Sequence, residues 1–163
     1  MESKRHIMPN SHNIRLSAFE VKYLTQMGEL FAQEFSEPGY EFSADAASKY
    51  LLRSVQQSPD YCFLAFKEGI SKPLGGIFCQ VLPYYQSKSL FVTAVLVDPK
   101  YRNMGVGKSL LYKVIELAKK NRLETMQLMA DNRKDFPINW YKKLGLEENG
   151  WVEMEVHLDK VKI

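Results

Sequence analysis

Apolar positions recur along the chain with two different periods, and the change of period predicts an order of elements. Three apolar runs bounded by turn residues, at 61–67, 74–85 and 89–97, predict successive buried strands. The short turns between them favour antiparallel pairing. Helical spacing of apolar residues predicts helices over 21–35, 43–57 and 107–121. The remaining segments predict strands at 13–19, 125–130 and 150–158, and a short helix at 137–146.

Individual residues mark where these elements begin and end. Ser43 is placed to cap the second helix, with Asp45 in its first turn. Pro137 suits the first position of the short helix, and Gly145 suits its C-cap. The pair Gly75–Gly76 indicates a β-bulge or a close backbone approach. The strand–helix–strand unit over 90–130 is predicted to be parallel and right-handed.

Composition narrows the class of protein. The 163 residues fit one domain, which we expect at 13–163 after a flexible segment at 1–12. The net charge of +3 does not by itself indicate nucleic acid. The apolar runs are too short to span a bilayer, and residues 1–12 lack the apolar core of a secretory signal. Cys62 and Cys79 lie in apolar runs, which favours buried reduced thiols in a cytoplasmic protein without a metal site.

The stretch VDPKYRNMGVGKSLL, at 97–111, joins a predicted strand to a predicted helix. Its backbone N–H groups would meet at the helix N-terminus, where an anion is stabilised. A triphosphate loop needs a glycine where this chain has Arg102, and a dinucleotide fingerprint needs a third glycine where it has Leu110. A plain tight turn is the structural alternative. Lys108 in the first helical turn opposes the helix dipole unless an anion binds there.

The run from Arg102 to Gly107 fits the pattern R-x-x-G-x-G. With its flanking segments, it resembles the acyl-CoA-binding motif of the GNAT superfamily of N-acetyltransferases. The resemblance covers residues 13–158 in element order. It implies a mixed α/β GNAT-like fold with about six or seven mostly antiparallel strands. A parallel central pair would splay at the coenzyme A site, and four helices would flank the sheet.

The resemblance also implies which residues bind acetyl-CoA as cosubstrate, without a metal. Backbone amides of the loop would hold the pyrophosphate, and strand splaying would free main-chain groups for the pantetheine arm. The implied cofactor-binding residues are Val95, Leu96, Val97, Arg102, Asn103, Met104, Gly105, Val106, Gly107 and Lys108.

The segment NWYKKLGL resembles the tyrosine-containing segment of the same family. Tyr141 would then be the general acid that protonates the departing thiolate, because a phenol is protonated at neutral pH. Lys134 stands where many members have an asparagine, and Asn132 or Asn139 are alternatives out of register. The strand before the loop lacks an acid, so the base stays open among water and a few side chains: Thr93, Glu37, Glu41 and Glu148.

The implied activity is transfer of acetyl to a primary amine by direct attack in a ternary complex. The loop between the first two helices would border the acceptor, and Tyr84 with Tyr85 would form a second wall. That loop combines acids and aromatics that suit a cationic amine: Glu34, Phe35, Glu37, Tyr40, Glu41, Phe42 and Asp45. We expect the acceptor to be a small molecule or a peptide, without nucleic acid or membrane as partners, and a homodimer stays open. The alternatives are a non-catalytic acyl-CoA-binding regulatory module and a nucleotide hydrolase.

Overall fold

A computed structural model of the chain describes residues 13–160 and contains five strands and four α-helices. The expected flexible segment at 1–12 lies outside the described residues. In chain order the elements are β1 (Ile14–Ala18), α1 (Leu24–Phe35), α2 (Ala44–Gln57), β2 (Phe63–Lys67), β3 (Gly75–Tyr84), β4 (Ser87–Val97), α3 (Val106–Lys120), β5 (Thr125–Leu128) and α4 (Asp135–Lys143). The mixed α/β class is confirmed.

The chain divides into two compact units between Met129 and Ala130. In the first unit the five strands form one sheet in the order β1-β2-β3-β4-β5. All neighbours pair antiparallel except β4 and β5, which pair parallel as predicted. The expectation of a single domain over 13–163 stays a prediction.

The main core of the first unit lies where α1 and α2 pack on the sheet. Its buried members come from both helices, from β2, β3 and β4, and from the residue just before β2: Met27, Phe31, Ala47, Leu51, Cys62, Leu64, Phe66, Phe78, Ala94 and Leu96. The apolar face of α3 is buried as well, through Val106, Leu110, Leu111 and Val114. These four residues of α3 recur at the helical spacing of apolar residues that predicted this helix.

Two features set the path of β4: a close approach to a glycine of β3 and a β-bulge. A Cβ on Gly75 would lie 2.1 Å from the carbonyl oxygen of Leu96, so β3 and β4 approach as closely as only glycine allows. The close approach predicted at Gly75–Gly76 is therefore confirmed. The register shifts between Phe78 and Cys79, where Thr93 is the extra residue of β4. A bulge of this kind bends the strand.

The second unit contains the short helix α4, which ends as the sequence predicts. Gly145 has φ 91°, and its N–H donates to the carbonyl of Lys142 at 3.0 Å. The N–H of Leu146 donates to the carbonyl of Tyr141 at 3.2 Å. These two bonds form a Schellman cap, which is why a glycine follows the helix. The regular helical turn begins at Pro137, because Phe136 has non-helical angles.

The predicted strand at 150–158 is wrong. Residues 151–157 carry no strand, and their apolar side chains are exposed, with Trp151 at 85% and Met154 at 90%. A segment with alternating apolar and polar residues forms a strand only where a neighbouring strand pairs with it. The described residues show no such pairing here. The strand count is therefore five and not six or seven. For the same reason the parallel pair lies at one edge of the sheet and not at its centre.

Candidate active site

β5 is shorter than β4, so part of one edge of β4 has no paired strand. Pairing runs only from Ser89 with Thr125 to Val92 with Leu128, whereas β4 continues to Val97. The last five residues of β4 therefore have β3 on one side and no strand of the described sheet on the other. Main-chain groups along this open edge are available to a peptide-like ligand.

The hydrogen-bond direction at the end of β4 shows which residues face the open edge. The N–H of Asp98 donates to the carbonyl of Leu74 at 2.8 Å, toward the β3 side. Because main-chain groups alternate sides along an antiparallel strand, those of Leu96 also face β3. Those of Val95 and Val97 face the open edge. Within the predicted trio, Val95 and Val97 thus have main-chain groups available, whereas Leu96 contributes a buried side chain.

The loop after β4 is built by local backbone geometry. Asp98 accepts the N–H of Lys100 at 2.9 Å and starts a 3₁₀ turn at Pro99–Tyr101. Asn103 follows with φ 61° and Gly105 with φ 81°, both left-handed. Asparagine tolerates this region better than most residues, and glycine enters it without strain.

Gly105 is the N-cap of α3, and no side chain caps that helix. The first N–H bonded within the helix is that of Ser109, which donates to Gly105 at 2.9 Å. Among the described residues, the N–H groups of Val106, Gly107 and Lys108 show no acceptor. A Cβ on Gly105 would meet no heavy atom within 4 Å, so the approach to these donors is open. The geometry fits an anion such as a pyrophosphate.

Arg102 and Lys108 both have side-chain partners of their own. The Nζ of Lys108 lies 5.3 Å from the ring centre of Tyr112, a cation–π contact one turn further along α3. The guanidinium of Arg102 forms an ion pair with Glu34 of α1, and its Nε donates to the carbonyl of Val97 at 3.4 Å. The sequence did not reveal this link between the loop and α1.

Tyr141 lies in the second unit, half-buried on α4. Its ring packs against Trp140 with the centroids 4.9 Å apart. The Schellman cap described above fixes the end of the helix one turn after Tyr141. The proposed acid thus stands on an element whose end is defined by hydrogen bonds.

The segment before α4 holds a charge cluster where the family pattern has asparagine. Both nitrogens on one side of the Arg133 guanidinium contact Asp131 at 2.9 Å, and Lys134 lies 3.7 Å from the same carboxylate. These cations hold the pKa of Asp131 well below its usual range. Lys134 is therefore part of an ion-pair cluster in its own unit.

Most acids proposed for the acceptor side or as base have structural partners. Glu34 pairs with Arg102, and Asp45 pairs with Lys49 at 2.7 Å within α2. Glu41 accepts the N–H of Gly39 at 3.1 Å and shapes the turn between the helices. In the second unit, Lys142 lies 2.7 Å from Glu148 and lowers its pKa, which makes Glu148 a weaker base.

The aromatic residues of the same loop gather around one buried ring. Phe31 is 5% exposed, and its ring centre lies 4.5 Å from Phe35, 5.3 Å from Phe42 and 5.4 Å from Tyr50. The three outer rings are each partly exposed, so they offer an aromatic surface beside the acids. Tyr40 is exposed at 69%. Phe35, Tyr40 and Phe42 are the aromatic residues predicted for an amine acceptor, whereas Tyr50 was not among them.

Tyr84 and Tyr85 do not lie beside the glycine loop. They form the β3–β4 turn, where Tyr84 pairs with Ser87 at the start of β4. The glycine loop follows the other end of β4, about 30 Å away at the usual rise per strand residue. The second wall predicted for the acceptor therefore lies at the opposite end of β4 from the loop, and its role stays a prediction.

A partly buried polar cluster beside the bulge was not predicted from the sequence. The Thr93 and Ser54 hydroxyls lie 2.9 Å apart, and the Gln80 amide donates to Ser54 at 3.3 Å. Ser54 is fully buried on the face of α2 that carries Ala47 and Leu51. A serine on that apolar face is the signal that could have found the cluster. Thr93, a candidate for proton transfer, therefore shares its hydroxyl with Ser54.

The two thiols are buried and free, as predicted. Burial raises the pKa of Cys62 to about 11 and raises that of Cys79 as well. Residues 13–160 contain no group of three or more potential metal-binding side chains. Of the helices in the described part of the chain, none has the length and apolar character needed to cross a bilayer.

Comparison with known proteins identifies the family. The sequence profile of the Acetyltransferase (GNAT) family matches residues 24–146, so the chain belongs to this family. An uncharacterized N-acetyltransferase of Methanocaldococcus jannaschii is 31% identical over 90 residues, which are 51% of this chain and 40% of that protein. The N-alpha-acetyltransferase MAK3 of Arabidopsis thaliana is 28% identical over 134 residues, 77% of this chain and 66% of that protein.

The chain thus spans less than two thirds of the length of these two relatives. A solved aminoglycoside acetyltransferase from an uncultured soil metagenomic sample has the same fold. It superimposes with a TM-score of 0.69 at 20% identity and covers 89% of this chain and 96% of its own.

Proposed function

We propose that the protein transfers the acetyl group of acetyl-CoA to a primary amine. The observation that carries this proposal is the loop after β4. It presents the N–H groups of Val106, Gly107 and Lys108 beside an open strand edge. An anion-binding helix start next to unpaired strand groups suits a ligand that has both a pyrophosphate and an amide-containing arm. Coenzyme A has both parts.

The cofactor contacts divide between main chain and side chain. Backbone N–H groups from Asn103 to Lys108 hold the pyrophosphate, and Gly105 leaves the approach open. Val95 and Val97 pair with the pantetheine arm along the open edge, and Leu96 supports the strand from the core. Arg102 and Lys108 add positive charge at the loop.

The reaction proceeds by direct attack within a ternary complex. The neutral amine nitrogen attacks the thioester carbon, and the carbon–sulfur bond breaks as the amide forms. Tyr141 donates its phenolic proton to the departing thiolate, and the amine loses a proton to water or to a base that we do not assign. The role of Tyr141 is supported by the resemblance of its segment to that of the family.

The acceptor is an amine that fits an aromatic and acidic surface. The partly exposed rings of Phe35, Phe42 and Tyr50 can contact a cation or an apolar side chain. The relatives' names point to two amine classes, aminoglycosides and protein N-termini, and both support an amine acceptor. A cytoplasmic location and action without nucleic acid or membrane stay predictions.

A thiol-release assay tests the proposal. The purified protein is incubated with acetyl-CoA and, separately, with kanamycin, spermidine, glucosamine and a tetrapeptide with a free N-terminus. We expect release of free coenzyme A thiol with at least one amine. Binding of acetyl-CoA without turnover on any amine would favour the alternative, a non-catalytic acyl-CoA-binding module.

Tyr141→Phe then tests the acid. We expect a fall in kcat of roughly 100-fold, typical of losing a general acid, with an unchanged Kd for coenzyme A. Tyr23→Phe is the matched control, because the ring of Tyr23 packs on Phe66 of β2 and belongs to neither proposed binding surface. It should keep full turnover. Full turnover in Tyr141→Phe would remove the assigned role.

A further inference from the structure

Arg102 and Val97 are joined by a hydrogen bond, although the proposed function has both residues bind coenzyme A. The Nε of Arg102 donates to the carbonyl of Val97 at 3.4 Å. That carbonyl faces the open edge of β4, where the pantetheine arm would pair. The same guanidinium forms an ion pair with Glu34. The arm and the pyrophosphate would therefore compete with contacts that already exist.

Glu34 has a physical reason to hold Arg102. It lies in the last turn of α1, and that turn contains no basic residue. A carboxylate at a helix C-terminus opposes the helix dipole, so a cation from elsewhere is stabilising there. Among the described residues, the cation seen at Glu34 is Arg102, which reaches it from the loop after β4.

This ion pair is able to exchange partners. The side chains of Arg102 and Glu34 are 38% and 37% exposed, so both can rotate into solvent. An exposed pair of this kind contributes little to stability. A pyrophosphate at the start of α3 offers arginine a bidentate, doubly charged partner, which binds more strongly than a single carboxylate.

We propose that Glu34 is a built-in competitor for Arg102, which coenzyme A displaces when it binds. The inference rests on the proposed function. Arg102 exchanges the Glu34 carboxylate for the pyrophosphate and releases the Val97 carbonyl to the arm. The exchange leaves the charge of Glu34 uncompensated at the end of α1, next to the aromatic surface around Phe31. A cationic amine is then attracted to Glu34 after the cofactor is bound.

Calorimetric titration with coenzyme A tests the competition. Glu34→Gln keeps the size of the side chain and removes its charge. We expect its Kd for coenzyme A to fall roughly two- to fivefold below that of wild type, the range set by an exposed ion pair. Glu29→Gln is the matched control, since Glu29 is exposed on the same helix and its substitution removes the same charge. Its Kd should match wild type.

The Arg102→Ala background separates competition from general electrostatics. If Glu34 acts through Arg102, adding Glu34→Gln to Arg102→Ala should leave the Kd unchanged. An equal tightening in that background, or an unchanged or weaker Kd in the single variant, would overturn the inference while the proposed function stands. Failure of wild type to bind coenzyme A would instead overturn the proposed function, and the inference with it.

A separate measurement tests whether Glu34 attracts the amine acceptor. In the thiol-release assay, Glu34→Gln should raise KM for the panel amine that wild type acetylates fastest, with kcat preserved. An unchanged KM would show that Glu34 does not attract the amine.

Discussion

The loop after β4 and the loop between α1 and α2 are built in different ways. The first is defined by its backbone: left-handed angles at Asn103 and Gly105, a 3₁₀ turn and the open start of α3. The second is defined by side chains: rings gathered around Phe31, and acids paired with Arg102 and Lys49. One loop presents main-chain donors, and the other presents a mixed surface.

Because of this difference, we expect the first loop to constrain its proposed ligand and the second loop to accept several. Main-chain N–H groups at a helix start have a fixed direction and charge, so they select an anion. A surface of rings and paired carboxylates accepts many cations with similar energy. The comparison therefore predicts large effects of backbone-directed substitutions on cofactor binding and small ones from the acceptor loop.

Gly107→Asp should have the largest effect on cofactor binding. It places a carboxylate among the donors proposed to hold the pyrophosphate, and two unit charges about 4 Å apart near a protein surface repel by about 4 kcal/mol. We expect Kd for coenzyme A to rise roughly 1,000-fold. The fold should persist, because an acid suits the first turn of a helix.

Gly107→Asn is the control for Gly107→Asp, since it has the same size without the charge. Calorimetry and thermal unfolding measure both variants. Wild-type affinity in Gly107→Asp would place the pyrophosphate elsewhere.

Gly75→Ala should have the largest effect on the strand that carries the site. Its Cβ would lie 2.1 Å from the Leu96 carbonyl oxygen, so β3 and β4 must separate. Overpacking of this kind lowers the free energy of unfolding by about 1–3 kcal/mol. Denaturant unfolding measures the loss.

Gly105→Ala provides the contrast to Gly75→Ala. Its Cβ has open space, and only the left-handed φ of 81° is unfavourable. It should lose about 1 kcal/mol of stability. A smaller loss at Gly75 than at Gly105 would contradict the close approach of β3 and β4.

Arg102→Ala should weaken coenzyme A binding by roughly fivefold to tenfold, a modest effect for a charged hydrogen bond that must first leave another partner. The backbone donors remain, so binding persists. Calorimetry at two salt concentrations measures it, and the variant should show less salt dependence. Complete loss of binding would mean that the side chain dominates over the backbone.

Phe42→Leu should have the smallest effect on the cofactor. It removes an edge contact with Phe31 on the proposed acceptor surface. We expect Kd for coenzyme A to stay within about twofold of wild type, since exposed substitutions away from a site change energies by about 0.5 kcal/mol or less. KM for the preferred amine should rise. A large change in cofactor affinity would break the separation between the two loops.

The sequence predicted those parts of the fold that local rules determine. The pattern of apolar residues predicted the four helices and, of six expected strands, the five that form, and Ser43 does cap α2, accepting the N–H of Ala46 at 3.0 Å. The glycine loop could be predicted because a glycine before a helix indicates a left-handed backbone position at the helix start. The parallel pairing of β4 and β5 followed from the strand–helix–strand order.

The rest depends on partners far apart in the chain. Alternation at 150–158 predicted a strand, but a strand also needs a neighbour. Glu34 and Arg102 are 68 positions apart, so no local pattern reveals their ion pair. Ser54 meets Thr93 only because α2 packs on β4. Side-chain pairings of this kind follow from the tertiary fold, and a single sequence does not specify them.

Calorimetric titration of the purified protein with acetyl-CoA, with Mg·ATP as the comparison ligand, tests the central claim most directly. The account predicts binding of acetyl-CoA with a micromolar Kd and no binding of Mg·ATP, because the loop lacks the first glycine of a triphosphate site. Binding of neither ligand, or of Mg·ATP in place of acetyl-CoA, would contradict the assignment of the loop to coenzyme A.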